Sequence, residues 1–289
     1  MESLGLKSYI PLNEFLLLAS SCKSSIRIPL IKHFAETFEI DYKSSYDPKN
    51  VKIPFIPLSD TQDLSLPSHC FRDINSNVMG FQVIDQTIKL YSDKLGVLEF
   101  PTEDMLVDSL RRNPPQPNNA NNVFTFLGTR QSCFSMKVWQ NLSQIPFIPL
   151  ETNNSIKYFK PTEVFLKSNL LPSNYDCFTY VSFNTSADAF LRACGVKDCP
   201  SPIELAFKVV ESPEYFLQSY ETYLDILRLI AANYKIVKVN YKLLSLMKLS
   251  KFLMAIDNTG SSQKYSLLKA SDIYLVDDMQ LYKLFQPMT

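Results

Sequence analysis

Apolar residues along the chain fall into short strings that prolines interrupt. The string IPFIPL occurs at residues 53–58 and again, letter for letter, at residues 145–150. Proline fixes φ and lacks the backbone N–H that a sheet needs, so a string with two prolines favours an edge strand or a buried extended connector over a helix. The recurrence of six identical letters indicates that the chain is built from copies of one unit.

A second pair of segments extends the repeat. FQVIDQTIKLYSDKLGV (81–97) aligns without a gap on YVSFNTSADAFLRACGV (180–196). Each segment predicts a short apolar strand, then an N-cap at Asp85 or Asn184, then about ten residues of helix. The hydrophobic pattern therefore predicts the same strand and helix twice.

Glycines and prolines predict where these helices end and the next ones begin. Gly96 and Gly195 stand where a residue in the left-handed conformation would end each helix. Pro101, and either Pro200 or Pro202, stand near the first turn of a following helix, where a missing N–H costs nothing.

The spacing of the matched segments gives the length of the unit. It is 92 residues from position 53 to position 145, and 99 residues from position 81 to position 180. We therefore expect an α+β fold of tandem units of about 92–99 residues, each with short proline-flanked strands and two or three helices. The expected divisions are 1–28 for the end of a preceding unit, 29–120 for repeat unit 1, 121–219 for repeat unit 2 and 220–289 for the start of a third, incomplete unit. A chain that begins and ends within a unit predicts a segment of a longer protein, with a naturally short member as the alternative.

Composition narrows the possible partners. The 289 residues are 46% apolar, and 29 basic side chains balance 29 acidic ones, which disfavours nucleic acid or an anionic membrane as the main partner. No apolar run approaches the roughly 20 residues that a membrane-spanning helix needs, so we expect no membrane insertion. The six scattered cysteines do not form a disulfide framework and favour a reducing, cytoplasmic location.

Two cysteines invite a metal or redox interpretation, which the repeat argues against. Cys194 and Cys199 lie in the motif ACGVKDC, and the matching positions of the first copy are Leu95 and Phe100. The chain has two histidines and no second cysteine pair at zinc-ligand spacing. We therefore expect buried packing thiols and no metal ligand.

Asp277 and Asp278 are the candidates for catalysis. They follow an apolar strand and precede a helix, which is where doubly wound enzymes keep catalytic carboxylates. They suit N-cap and first-turn positions equally well, and no phosphate-binding loop, nucleophile motif or HExxH zinc motif accompanies them. We therefore expect that the chain has no catalytic, cofactor-binding or metal-binding residues, that it uses no cofactor, and that it is not an enzyme. An enzyme domain with Asp277 and Asp278 at a strand-to-helix site is the alternative.

The helix pairs around Gly96 and Gly195 give a second alternative, helix-turn-helix binding of nucleic acid. The following helices carry acids in their first turns, where base-contacting Arg, Asn or Gln would be expected, so this function is disfavoured. One stretch, KIVKVNYKLLSLMKLSK, is basic, and its interleaved leucines predict a solvated face over a core. Its lysines are Lys235, Lys238, Lys242, Lys248 and Lys251.

Several segments together resemble a large fungal family of uncharacterised proteins. These segments are YDPKNVKIPFIPL, NSNVMGFQVID, ADAFLRACGVKDCPSPIELA, YLDILRLIAANY and ASDIYLVDD. Members of that family carry a histidine-kinase-like (GHKL-type) ATPase domain near the N-terminus and are similar to sacsin. The similarity runs over nearly the whole chain, which corresponds to part of the region downstream of the ATPase domain.

The resemblance implies a cytoplasmic, chaperone-like protein whose ATP site lies in a domain that this chain does not contain. The ATP-binding motifs of the family have no counterpart here, so no functional residue is carried over. We therefore expect a non-catalytic scaffold, or a segment that contacts clients or partner proteins, within a larger GHKL-ATPase-containing protein.

Overall fold

The computed structural model describes residues 9–59, 61–152, 155–167, 177–217, 219–257 and 264–273. Short helices alternate along this chain with pairs of strands that are two to five residues long. The expected α+β class is therefore confirmed. The chain divides into two compact units: unit 1 comprises Met1–Glu163 with Ser182–Val196, and unit 2 comprises Val164–Val181 with Lys197–Thr289.

Unit 1 is mainly helical. Its described α-helices are α1 (Leu12–Ser21), α2 (Ser24–Thr37), α3 (Ser92–Leu95), α4 (Glu103–Arg112), α5 (Pro117–Gly128), α6 (Met136–Leu142) and α7 (Thr185–Ala193). Its described strands are β1 (Ile56–Pro57), β2 (Leu64–Ser65), β3 (Cys70–Phe71), β4 (Gln82–Val83), β5 (Ile148–Thr152) and β6 (Ser155–Phe159). A π-helical turn at Phe38–Tyr42 follows α2, and 3₁₀ helices occupy Pro67–His69, Ile74–Met79, Gln86–Tyr91, Gln131–Cys133 and Pro161–Glu163.

Unit 2 has the same kinds of elements. Its described strands are β7 (Phe165–Leu166), β8 (Tyr180–Val181), β9 (Leu253–Asp257) and β10 (Lys264–Leu268). Its described α-helices are α8 (Pro202–Glu211), α9 (Pro213–Phe216), α10 (Tyr220–Ala232), α11 (Tyr234–Val237) and α12 (Tyr241–Leu249), and a 3₁₀ helix occupies Ala270–Asp272.

The IPFIPL strings are extended, as their prolines predict. The first contains β1, which pairs antiparallel with β2, and the second leads into β5, which pairs antiparallel with β6. Both sheets have only two strands, so Pro57 and Pro149, the second proline of each string, lie in edge strands, where a missing N–H removes no ladder bond between two partners. The first proline of each string, Pro54 or Pro146, precedes the strand.

The elements after the two strings follow the same order. A proline-led 3₁₀ helix comes first, at Pro67–His69 and at Pro161–Glu163. Strand β3 then pairs parallel with β4 in the first copy, and β7 pairs parallel with β8 in the second. The β9–β10 pair is likewise followed by a 3₁₀ helix. The compact units divide the chain elsewhere than the repeat does, and the repeat boundaries at residues 28, 120 and 219 stay a prediction.

The two helical segments predicted after Asp85 and Asn184 differ in their winding. The Asn184 side chain accepts a hydrogen bond from the N–H three residues on, at Ala187, and α7 is a regular α-helix. The Asp85 carboxylate instead accepts from Thr87, two residues on, which draws the chain into a tighter 3₁₀ turn. In the segment that follows Asp85, only the last four residues, which form α3, are α-helical.

Both glycines end their helices as predicted. Gly96 has φ +69° and Gly195 has φ +105°, a region that side chains with a Cβ rarely adopt. The N–H of Val97 donates to the Ser92 carbonyl, and the N–H of Val196 donates to the Leu191 carbonyl. This is the Schellman arrangement, which satisfies carbonyls at the end of a helix.

Aromatic side chains fill the core of unit 1. Phe15 and Phe34 stack with ring centroids 4.5 Å apart, and Tyr42 lies 4.5 Å from Phe34. Phe55, in the first IPFIPL string, and Phe147, at the same place in the second, are both fully buried. Burying each such ring contributes about 1.5–3 kcal/mol, so the matched strings anchor the core.

Unit 2 has a core of its own around α10. Tyr223, Ile226 and Ile230 of α10 pack with residues of α8 and α12. The Tyr223 hydroxyl donates to the carbonyl of Phe252 at the start of the β9 hairpin. Burial raises the pKa of Tyr223 to about 12, so this hydroxyl stays protonated near neutral pH.

Substitution of two left-handed glycines tests the helix-ending turn. A Cβ at Gly96 would collide with the ring of Pro48, whereas a Cβ at Gly80, which has φ +80°, would meet nothing within 4 Å. We expect Gly80→Ala to cost about 1 kcal/mol of unfolding free energy through backbone strain. Gly96→Ala should cost about 1–3 kcal/mol more, because the proline ring cannot swing away. Urea denaturation compares the two variants, and equal losses would contradict the packing at Gly96.

Candidate functional site

The candidate site residues predicted from the sequence fall into three groups: two aspartates, the cysteines of the ACGVKDC motif, and the lysines of the basic stretch. Asp277 and Asp278 lie outside the described residues. Among the residues that are described, no group of three or more His, Cys, Asp and Glu side chains could hold a metal ion.

The two cysteines of the ACGVKDC motif differ in environment. Cys194 is 1% exposed, and burial raises the pKa of its thiol. Cys199 is exposed, so the expectation that both thiols are buried was wrong for this residue. The reason is its position in the irregular segment between Gly195 and α8, where its counterpart Phe100 is also exposed.

Thiol reactivity should follow this difference. Burial raises the pKa of Cys70 to about 12 and raises that of Cys194 as well, so neither forms the reactive thiolate at pH 8. We expect Ellman's reagent to modify the exposed Cys133 and Cys199 first, and the two buried thiols only after unfolding. Peptide mass spectrometry assigns the modified positions. Modification of Cys70 as fast as Cys133 in the folded protein would contradict the structure.

The first turn of α8 uses its polar groups for capping. Ser201 and Glu204 form a reciprocal capping box, and Lys197 Nζ lies 2.8 Å from the Glu204 carboxylate. Burial alone would raise the pKa of Glu204, but the hydrogen bonds from Lys197 and Ser201 outweigh it and the pKa is lowered. The capping box therefore stabilises the start of α8, and Lys197 stabilises the negative charge of the Glu204 carboxylate.

A half-buried ion pair in unit 1 links distant parts of the sequence. Arg130 Nη2, just after α5, lies 2.6 Å from the carboxylate of Asp73, which begins a 3₁₀ helix. The guanidinium also lies over the rings of Phe100, at 3.5 Å, and Phe126, at 4.7 Å. We call this group the Arg130 cluster. The carboxylate and the two rings pack directly against the guanidinium, so the Arg130 cluster stabilises the packing of unit 1.

Removing Arg130 should destabilise the fold more than removing an exposed arginine. The side chains of Arg130 and Asp73 are 14% and 15% exposed, so Arg130→Ala leaves a poorly hydrated carboxylate and should cost about 3 kcal/mol. Arg228→Ala, the matched control, breaks a pair whose side chains are 72% and 67% exposed and should cost less than about 1 kcal/mol. Urea denaturation measures both, and equal costs would contradict the role of the Arg130 cluster.

Two small grooves in unit 1 adjoin each other. Their volumes are about 200 and 350 Å³, and both are lined by Met79, Gly80, Ser109 and Asn113. Their charged groups are engaged locally, because Asp108 pairs with Arg111 and Arg112 of the same helix.

Unit 2 has an apolar groove at the corner between α11 and α12. Its volume is about 700 Å³. We call it the α11–α12 surface; it is lined by Ile203, Lys235, Ile236, Val239, Asn240 and Tyr241.

Three large apolar side chains of the α11–α12 surface face solvent. Ile236 is 54% exposed, Val239 69% and Tyr241 81%. Such side chains are common singly at protein surfaces, but an apolar groove that gathers several of them marks an interaction site.

The corner that carries the α11–α12 surface is well anchored. Val237 and Leu243 are fully buried in the core of unit 2. The Asn240 side chain accepts from the N–H of Leu243 and so caps α12. The buried residues Val237 and Leu243 therefore attach both sides of the corner to the core, and the exposed apolar residues Val239 and Tyr241 lie between them in the sequence.

The sequence predicted part of this arrangement. All five lysines of the basic stretch are exposed, as a solvated face requires, and Leu243 lies in the core. The exposed apolar residues were missed. In KIVKVNYK, apolar and polar residues are interspersed across the short turn between two helices. The apolar residues of this stretch outnumber those that one inward face can bury, and this excess was the available signal.

No helix in the described part of the chain is long and apolar enough to cross a membrane. The described residues thus define a class of protein: an α+β chain of short helices and two-stranded sheets, in which one order of elements recurs.

Comparison with protein families gives the particular family. The chain belongs to the family described as protein of unknown function (DUF3684), whose profile matches residues 1–288. No curated protein and no solved structure gives a significant match.

Proposed function

We propose that this chain is a non-catalytic segment that binds a partner protein through the α11–α12 surface. The observation that carries the proposal is the exposure of Ile236, Val239 and Tyr241 in one groove of about 700 Å³. Full burial of an exposed large apolar side chain contributes about 1.5–3 kcal/mol. Each of these partly exposed side chains supplies a share of that free energy when it is covered, so a partner that fills the groove gains from several at once.

The anchoring of the corner supports binding over a purely solvent-facing role. Val237 and Leu243 hold the two short helices to the core, and Asn240 fixes the turn between them. A surface that is already formed loses little conformational entropy when a partner binds, which favours affinity.

The wider setting of this proposal comes from the resemblance to the sacsin-like family. On that basis we place the segment in a cytoplasmic, chaperone-like protein that also contains a GHKL-type ATPase domain. The six scattered cysteines support a reducing compartment. ATP then acts through that other domain, and this segment supplies contact with clients or partners.

Site-specific photo-crosslinking in cells that express the protein tests the proposal. A benzophenone side chain replaces Val239 in one variant and Leu90, which is 90% exposed in unit 1, in the matched control. We expect a discrete protein adduct at position 239, and none at position 90, because only the first lies on the α11–α12 surface.

A third variant adds Ile236→Asp to the crosslinker at position 239 and should abolish the adduct, since a charge in the groove prevents apolar packing. Equal adducts at positions 239 and 90, or no adduct at either position, would contradict the proposal.

A further inference from the structure

We infer that the occupant of the α11–α12 surface is an acidic amphipathic protein segment. This inference rests on the proposed function and adds the chemistry of the partner. It follows from the charges that surround the apolar groove, and from the kind of side chain that lines it.

Basic residues are concentrated in the stretch of sequence that supplies most of the groove, although the whole chain is neutral. Between Asp225 and Asp257 the sequence has no acidic residue, whereas it has Arg228 and five lysines. Lys235 lines the groove itself, and Lys238 and Lys242, which are exposed, flank it in the sequence. A partner that places apolar side chains in the groove therefore meets ammonium groups beside it.

Two acids that neighbour the groove residues or the basic stretch in the sequence already have cationic partners. Glu204, which follows the groove residue Ile203, accepts hydrogen bonds from Lys197 and from the backbone of Ser201. Asp225 pairs with Arg228 at 3.0 Å. The lysines of the α11–α12 surface therefore keep a net positive field, which complements carboxylates on a partner.

The lining of the groove favours a protein over a nucleic acid. Ile203, Ile236 and Val239 offer branched aliphatic carbons, which pack against apolar side chains. Tyr241 is the one aromatic residue in this lining, so successive bases would find no second ring in the groove on which to stack. A polyanion also draws most of its affinity from many phosphate contacts, and a chain with 29 basic and 29 acidic residues supplies a weak overall field. An amphipathic segment with leucines on one face and glutamates on the other matches both parts of the surface.

Fluorescence anisotropy with synthetic peptides tests the inference on the full 289-residue chain. The probe is an amphipathic helix of leucine and glutamate of about 14 residues, or four turns. Two matched peptides replace every glutamate by glutamine or by lysine. We expect the glutamate peptide to bind about tenfold or more tightly than the glutamine peptide, with the difference shrinking at high salt, and the lysine peptide not to bind.

Charge reversal on the protein supplies the matched control. The triple variant Lys235→Glu, Lys238→Glu, Lys242→Glu should lose the glutamate peptide and gain the lysine peptide. A second triple variant, Lys52→Glu, Lys89→Glu, Lys137→Glu, changes three exposed lysines of unit 1 by the same charge and should bind as the unaltered chain does.

The outcomes separate this inference from the proposed function. If the glutamate and glutamine peptides bind equally and Val239→Asp abolishes both, the apolar contact holds but the acidic preference is wrong. If no peptide binds, the inference is overturned, while the crosslink at position 239 still decides the proposed function. Binding of a single-stranded oligonucleotide or of anionic vesicles in place of peptide, lost in the groove-lysine triple variant, would overturn the inference in favour of an anionic polymer or lipid surface.

Discussion

The left-handed glycine turn is the constraint on which the repeated arrangement depends. At Gly96 the turn ends a capped helical segment and brings the next residues back beside β3, where the Leu98 carbonyl accepts from the N–H of Arg72. After Gly195 the Lys197 carbonyl accepts from the N–H of Leu166 in the same way. Since the strands are so short, these few backbone bonds fix where each following helix starts. Without a residue that adopts positive φ, the helix could not end there and the strand would lose its neighbour.

Buried aromatic residues compensate for the shortness of the strands. A pair of two-residue strands has little independent stability, so the connection between elements has to come from side chains. Phe55 and Phe147 do this at matched places in unit 1, and Tyr223 does it in unit 2. Packing of this kind also explains why the repeat is visible in the sequence. The matched aromatic positions are buried in the core, and replacing one of them by a smaller side chain leaves a destabilising cavity, so the residue type is kept in both copies.

Local signals predicted much of the fold, and contacts distant in sequence could not be predicted. Proline strings, caps and the two glycines each depend on a few neighbouring residues, and the structure places them as expected. The Arg130 cluster joins residues 57 positions apart, and no local pattern indicates such a pair. The winding of the first copy depended on which N–H the Asp85 side chain reached, and the exposure of Cys199 depended on an irregular loop. The exposed apolar residues near α12 were missed because the helical spacing of apolar residues predicts that one face of the helix is buried, but not how many apolar residues that face can bury.

The proposed function requires that a partner covers the α11–α12 surface in the cell. Hydroxyl-radical footprinting measures this directly, because it labels exposed aromatic and sulfur-containing side chains in purified protein and in living cells. Tyr241 is 81% exposed and lies on this surface, whereas Met136 is 74% exposed in unit 1 and serves as the reference. If a partner covers this surface, we expect the labelling of Tyr241, relative to that of Met136, to fall severalfold in cells. Equal relative labelling in cells and in the purified protein would contradict it.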